Sequence, residues 1–199
     1  MSAARLVVLA SGEGTLLQAL LDSPLATSIV AVGSDIPGCK ALQRAEMAKV
    51  PSFSVPIRTD GTDRAEWDAE LVGHLQGFEA DWVVCAGFMR ILGERVLDRF
   101  PGRIVNSHPS LLPSFPGAHA VRSSLDYGVR VSGCTIHLVD TGVDTGPILA
   151  QQPVFVEPDD DESSLHERIK QIERVLLVDV LERLIDGGVT VTGRSVEFR

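Results

Sequence analysis

The sequence predicts an α/β protein, a mostly parallel sheet with helices on both faces. Apolar, β-branched runs of strand length recur through the first half, each is followed by a segment with helical spacing, and polar glycine-containing turns separate them. A chain of 199 residues has the size of one domain, which we read as 1–199 in two halves, about 1–100 and about 101–199. Leu6 to Ala10 is the first such run, unbroken as in a strand buried on both faces. Leu16, Leu17, Ala19, Leu20 and Leu21 then make a helical face through Asp22, with Thr15 placed to cap it. Ser28–Gly33 and Cys39–Val50 repeat the pair, and a strand at Phe53–Ile57, a charged helix from about Asp63 to Gln76 and a buried strand at Asp81–Gly87 extend it. In the second half Arg103–Asn106 reads as a strand and the proline-rich Ser107–Gly117 as a loop. A short helix at about Ala120–Asp126, strands at Val131–Val139 and Ile148–Phe155, and a polar turn at Asp140–Pro147 follow. Ser163 or Ser164 is placed to cap a helix to about Ile185, with Leu165, Ile169, Ile172, Leu176, Val180 and Leu184 on one face. Val189–Phe198 closes the chain as a hairpin turning at Gly193.

Composition excludes several classes. With 44% apolar and 23% charged residues, the chain is neither disordered nor fibrous. Its 18 basic against 27 acidic residues give a net charge of -9, which argues against nucleic-acid and membrane partners. No apolar run approaches the ~18–20 residues of a spanning helix, and the N-terminal run is too short for a signal peptide, so a cytoplasmic location is expected. Cys39, Cys85 and Cys134 are odd in number and lack Cys-x-x-Cys spacing, which points to reduced thiols, the last two inside strands. The histidines fall in no metal-binding spacing, so no metal is expected. Apolar helix faces leave room for a homodimer.

Three places carry chemistry. Ser11-Gly12-Glu13-Gly14-Thr15 joins a strand to a helix, and glycines there let backbone N–H groups approach a phosphate. It is not a full dinucleotide fingerprint, because Leu17 stands at the third glycine, and a plain tight turn explains it equally well. Asn106 and His108, just past the end of a strand, point towards a cleft at the carboxyl edge of a sheet, the first as a donor to a carbonyl oxygen and the second as a proton carrier. Asp140 and Asp144 follow the next long strand, and a carboxylate that meets His108 would raise its pKa.

These segments, with Ala86-Gly87-Phe88-Met89-Arg90-Ile91-Leu92, Asn106 to Pro113, Phe115-Pro116-Gly117-Ala118-His119 and Asp140 to Pro147, together resemble the phosphoribosylglycinamide formyltransferases from about Arg5 to Ile185. The resemblance implies the formyltransferase fold, Rossmann-like in its N-terminal half, with a ribonucleotide-binding first half and a folate-binding, catalytic second half. It implies formyl transfer from 10-formyltetrahydrofolate, as co-substrate, to the amine of glycinamide ribonucleotide in purine synthesis. Asn106, His108 and Asp144 fall on the family's catalytic positions, Asp144 keeping His108 charged. Gly14, Thr15 and Leu16 fall on the phosphate turn, and Lys170, Gln171, Ile172 and Glu173 on the remaining ribonucleotide contacts. Arg64, Met89, Arg90, Ile91, Leu92, Asn106 and the turn Asp140, Thr141, Gly142, Val143 and Asp144 fall on the folate site. Leu16 departs from the family, which commonly has an Asn there. Methionyl-tRNA formyltransferase is disfavoured by length and charge, and formyltetrahydrofolate deformylase by the absence of a domain ahead of the first strand. Sugar-nucleotide formyltransferases and a non-catalytic nucleotide or folate binder stay open.

Overall fold

The computed structural model describes residues 4–57 and 64–199. The chain divides into two compact units, Met1–Val105 and Asn106–Arg199.

In the first unit the strands lie in the order β3-β2-β1-β4-β5, with β1 at Leu6–Leu9, β2 at Ile29–Ser34, β3 at Ser52–Ser54, β4 at Trp82–Cys85 and β5 beginning at Ile104. β1 pairs in parallel with β2 and β4, and β2 with β3. The parallel α/β reading is therefore borne out. β1 and β4 are buried at every position, as unbroken apolar runs require. The helices α1 (Thr15–Leu21), α2 (Lys40–Met47), α3 (Arg64–Gly77) and α4 (Glu94–Arg99) flank these strands. α2 packs on β2 and β3, and Trp67 of α3 donates its indole N–H to the Val55 carbonyl at 2.8 Å. Asp63, at the expected start of α3, lies outside the described residues.

Several boundaries differ from expectation. Thr15 does not cap α1: the cap position is Gly14, left-handed at φ 69°, and Thr15 is the first helical residue. A Cβ on Gly14 would meet the Ala41 backbone of α2, so only glycine allows both this turn and this packing. β3 is shorter than Phe53–Ile57, and α4 has no counterpart in the sequence reading.

In the second unit the order is β5-β6-β7, with β5 ending at His108, β6 at Val131–Leu138 and β7 at Ile148–Phe155 antiparallel to β6. β5 runs two residues beyond its expected end, so Asn106 and His108 lie inside the strand rather than past it. α5 (Ala120–Tyr127) and the long α6 (Glu162–Asp186) follow. Val121, Cys134, Val154, Leu165 and Ile169 form a core with Leu125, Val156, Ile172 and Leu176 at its margin. Asp161, not Ser163 or Ser164, caps α6: its carboxylate accepts from the Ser164 N–H, and the Ser164 hydroxyl accepts from the Asp161 N–H. β8 (Val189–Thr192) and β9 (Ser195–Phe198) form the expected hairpin. Cys85 and Cys134 are buried free thiols, each pushed up to about 12 by burial. Among the described residues no helix is long and apolar enough to cross a membrane.

Candidate active site

Alternation along β5 puts Asn106 and His108 on one face of the strand and Ser107 on the other. On that shared face, in the second unit, four polar groups meet around one carboxylate. Asp144 places Oδ2 3.3 Å from His108 Nδ1 and 2.8 Å from the Gly117 N–H, which donates to it. Its Oδ1 lies 3.5 Å from both Asn106 Nδ2 and His137 Nε2. The Asn106 amide also lies 3.1 Å from His137 Nε2. The loop holding Asp144 is tied by Asp140, whose Oδ1 accepts from the Gly142 N–H at 3.1 Å and the Thr145 hydroxyl at 2.6 Å.

Acceptor-only neighbours assign the ring protons. His137 Nδ1 faces the Leu138 carbonyl at 2.9 Å, so it carries the proton, leaving Nε2 to accept from Asn106. His108 Nε2 faces the Phe115 carbonyl at 2.9 Å and carries the proton there; a second proton would go on Nδ1, opposite Asp144. His108 is only 4% exposed, and that burial pushes its pKa below the ordinary 6.5. The Asp144 carboxylate and the Phe115 carbonyl pull upward, and His137 adds a smaller downward push. The Asp144 carboxylate thus favours the charged imidazole, and desolvation, the larger influence, opposes it. For Asp144, burial works upward, while bonds from His137 and the Gly117 N–H and the facing imidazoles together carry it below the ordinary carboxylate value. His137 contributes its bond only when Nε2 is protonated. His137 was missed in the sequence; its signal is the one imidazole in the strand Val131–Leu138.

The other expected residues of this unit divide by environment. Thr141, Gly142 and Val143 are exposed beside Asp144. On α6, Gln171 is exposed, Lys170 lies 4.0 Å from Glu167, and Ile172 packs at the core margin. Glu173 is turned inward, where its Oε1 accepts from the Ser107 hydroxyl at 2.7 Å. Burial pushes its carboxyl up, against the downward pull of Ser107, Lys170 and Arg174.

In the first unit the glycine turn keeps its first-turn N–H groups free of helical partners. Thr15 is half-buried, and Leu16 is buried, its side chain spent on packing. Glu13 is taken up by α2: Lys40 Nζ lies 2.9 Å from its carboxylate, and Arg44 donates to its carbonyl at 2.8 Å. Met89 and Ile91 are 61% and 65% exposed, whereas Leu92 is buried. Met89 N–H donates to Ser11 Oγ at 2.8 Å, and Arg90 Nε to Asp35 Oδ2 at 2.6 Å. Arg64 stacks 4.5 Å over the Trp67 ring and donates to the Ile91 carbonyl. Among the described residues no group of three or more His, Cys, Asp or Glu side chains is placed to hold a metal.

An α/β frame here gathers an amide, two imidazoles and a carboxylate beside β5, a donor set of the kind that suits acyl-type group transfer. Residues 4–181 match the formyl transferase family, and the chain belongs to that family. It is 54% identical over 195 residues to the phosphoribosylglycinamide formyltransferase of Mycobacterium tuberculosis, covering 96% of this chain and 90% of that one. It is 42% identical over 189 residues to the trifunctional purine biosynthetic protein adenosine-3 of Drosophila melanogaster, covering 92% of this chain and 14% of that protein. The crystal structure of glycinamide ribonucleotide transformylase 1 from Symbiobacterium toebii superimposes with a TM-score of 0.94 at 38% identity, over 98% of this chain and 94% of the other.

Proposed function

We propose that this chain is a phosphoribosylglycinamide formyltransferase, moving the formyl group of 10-formyltetrahydrofolate to the amine of glycinamide ribonucleotide in purine synthesis. The observation that carries the reading is the convergence of Asn106, His108 and His137 on Asp144. Formyl transfer needs N–H donors where a carbonyl oxygen gains negative charge, and a group that moves a proton from the attacking to the leaving nitrogen. The donor set fits that demand. The folate co-substrate supplies an activated one-carbon group on a nitrogen that leaves with a proton.

Within this reading, His137 takes one N–H of Asn106, and the other, only 3.5 Å from Asp144, is the one to turn onto the formyl oxygen. His108 offers Nε2–H, which exchanges the Phe115 carbonyl for substrate oxygen. As negative charge grows nearby, a proton on His108 Nδ1 is held by Asp144, so the carboxylate matters most when the ring is charged. The turn at Gly14, Thr15 and Leu16 holds the ribonucleotide phosphate through backbone N–H groups and the Thr15 hydroxyl, since Leu16 brings no amide. On α6, Lys170 to Glu173 contact the rest of that substrate. The folate lies against Arg64, Met89 to Leu92 and the loop Asp140 to Asp144. Both substrates are water-soluble anions, which supports an aqueous setting and fits the expected cytoplasmic location.

The test is a spectrophotometric assay of formyl transfer, with and without glycinamide ribonucleotide, on the wild type and Asp144→Asn. Turnover should require the ribonucleotide and fall by roughly 10²- to 10³-fold in the variant, the cost of losing one electrostatic partner of the transition state. Equal folate consumption without ribonucleotide would identify a hydrolase and overturn the proposal.

A further inference from the structure

We infer that Arg194, at the tip of the C-terminal hairpin, is a positioning residue that holds the loop carrying Asp144. The inference rests on the reading of Asp144 as the working carboxylate. Arg194 Nη1 donates to the Thr145 carbonyl at 2.9 Å, one peptide unit from Asp144. Asp144 itself sits at φ 54°, in the left-handed region that a non-glycine residue keeps only where its surroundings hold it. Ties from Gly142 and Thr145 to Asp140 run within the loop, and the Gly117 N–H, Asn106, His108 and His137 meet the Asp144 carboxylate, whereas Arg194 grips the loop's backbone. Arg194 adds a tie from a distant stretch of chain.

The hairpin is built to carry that tie. Gly193, at φ 62°, turns β8 into β9 and leaves Arg194 at the apex. At the far end the main-chain Arg199 N–H, which any residue there keeps, donates to the Gly188 carbonyl at 3.2 Å. The Arg183 guanidinium of α6 covers the Phe198 ring at 3.7 Å, and β9 touches β7. The base of the hairpin is thus fixed to α6 and β7 while its tip reaches the loop. A guanidinium suits the tip because it is always charged and presents its donors in a fixed plane to the Thr145 carbonyl.

The test compares Arg194→Ala, Arg194→Lys and Arg199→Ala in the full chain by steady-state kinetics across pH. One hydrogen bond of this kind is worth about a threefold to tenfold change in rate, so Arg194→Ala should lower kcat by that factor with the ribonucleotide KM unchanged. Burial raises the Asp144 carboxyl, and the Gly117 N–H, a His137 bond once Nε2 is protonated and the charge of the facing imidazoles lower it. A loosened loop lengthens those bonds, so the acid limb of kcat should move to higher pH. Arg194→Lys, which can still donate, should recover part of both effects, and Arg199→Ala, which leaves the tip residue in place, should change neither. Wild-type kcat with an unmoved acid limb in Arg194→Ala overturns the inference, as does an equal loss in Arg199→Ala. Full turnover by Asp144→Asn would instead defeat the reading beneath it, a result separate from either.

Discussion

Glu13 stands in the turn proposed to receive a phosphate dianion, where a carboxylate is the wrong charge. Lys40 answers it at 2.9 Å, both groups being exposed. Removing the lysine leaves the acid uncompensated, so Lys40→Met should raise the ribonucleotide KM and Glu13→Gln should lower it, each by up to about fivefold, the reach of an exposed ion pair. Initial-rate kinetics with each substrate varied in turn check this, since a matching change in the folate KM would place the pair elsewhere. His108 gives a second prediction, for stability. Its folded pKa is pushed below the ordinary 6.5 chiefly by burial, so near that pH the unfolded chain binds more protons than the folded one. Stability therefore falls as pH drops through 6.5 towards the folded value, and is recovered above it. His108→Gln should flatten this slope in urea midpoints measured between about pH 8 and pH 5. A slope of the same steepness in the variant would assign the effect to other groups, with Asp144, whose pKa is lowered, acting only in the more acid range below its ordinary 3.8.

Among the elements, α6 shows how a local rule and a long pattern combine. Asp161 and Ser164 close a capping box at its first turn, and Leu165, Ile169, Leu177, Val180, Leu181 and Leu184 bury one stripe beneath. Asp161→Ala should cost about 0.5–2 kcal/mol, the usual worth of such a cap, read as a shift in denaturant midpoint. A change below a few tenths would mean that the first turn is held by packing alone. The same helix shows what was legible in the sequence. Its length and apolar face could be read from spacing, but the choice of cap could not, because Asp161, Ser163 and Ser164 are equally good cap residues and only backbone geometry selects among them. β1 and β4 were legible because burial on both faces leaves an unbroken apolar run. β5 was read short because its last two residues, Ser107 and His108, are polar and so end the apolar run that marks a buried strand. α4 escaped because only Val96 of its six residues is buried, too few to set a period. His137 escaped because a buried histidine inside β6 reads as a packing residue from sequence; only the fold shows its 3.1 Å approach to Asn106.

At the scale of the whole chain, the proposed binding of phosphate belongs to residues of one compact unit and the proposed chemistry to residues of the other. That division makes a kinetic claim. The Thr15 hydroxyl, in the first unit, would touch a phosphate that does not react, so it binds ground state and transition state alike and acts on KM. Asp144, in the second, would stabilise a charged imidazole that arises during transfer, so in the proposed reaction it acts on kcat. Thr15→Ala should therefore weaken ribonucleotide binding while leaving the folate KM nearly unchanged, and Asp144→Asn should lower kcat while leaving ribonucleotide affinity nearly unchanged. Combined, the two substitutions should add in the logarithm of kcat/KM, with a coupling no larger than about 0.5 kcal/mol, as for sites without shared partners. The double-mutant cycle is measured with the ribonucleotide varied at saturating folate. A larger coupling would mean that the phosphate grip also aligns the amine for attack, and that remote binding energy is spent on kcat as well as on KM.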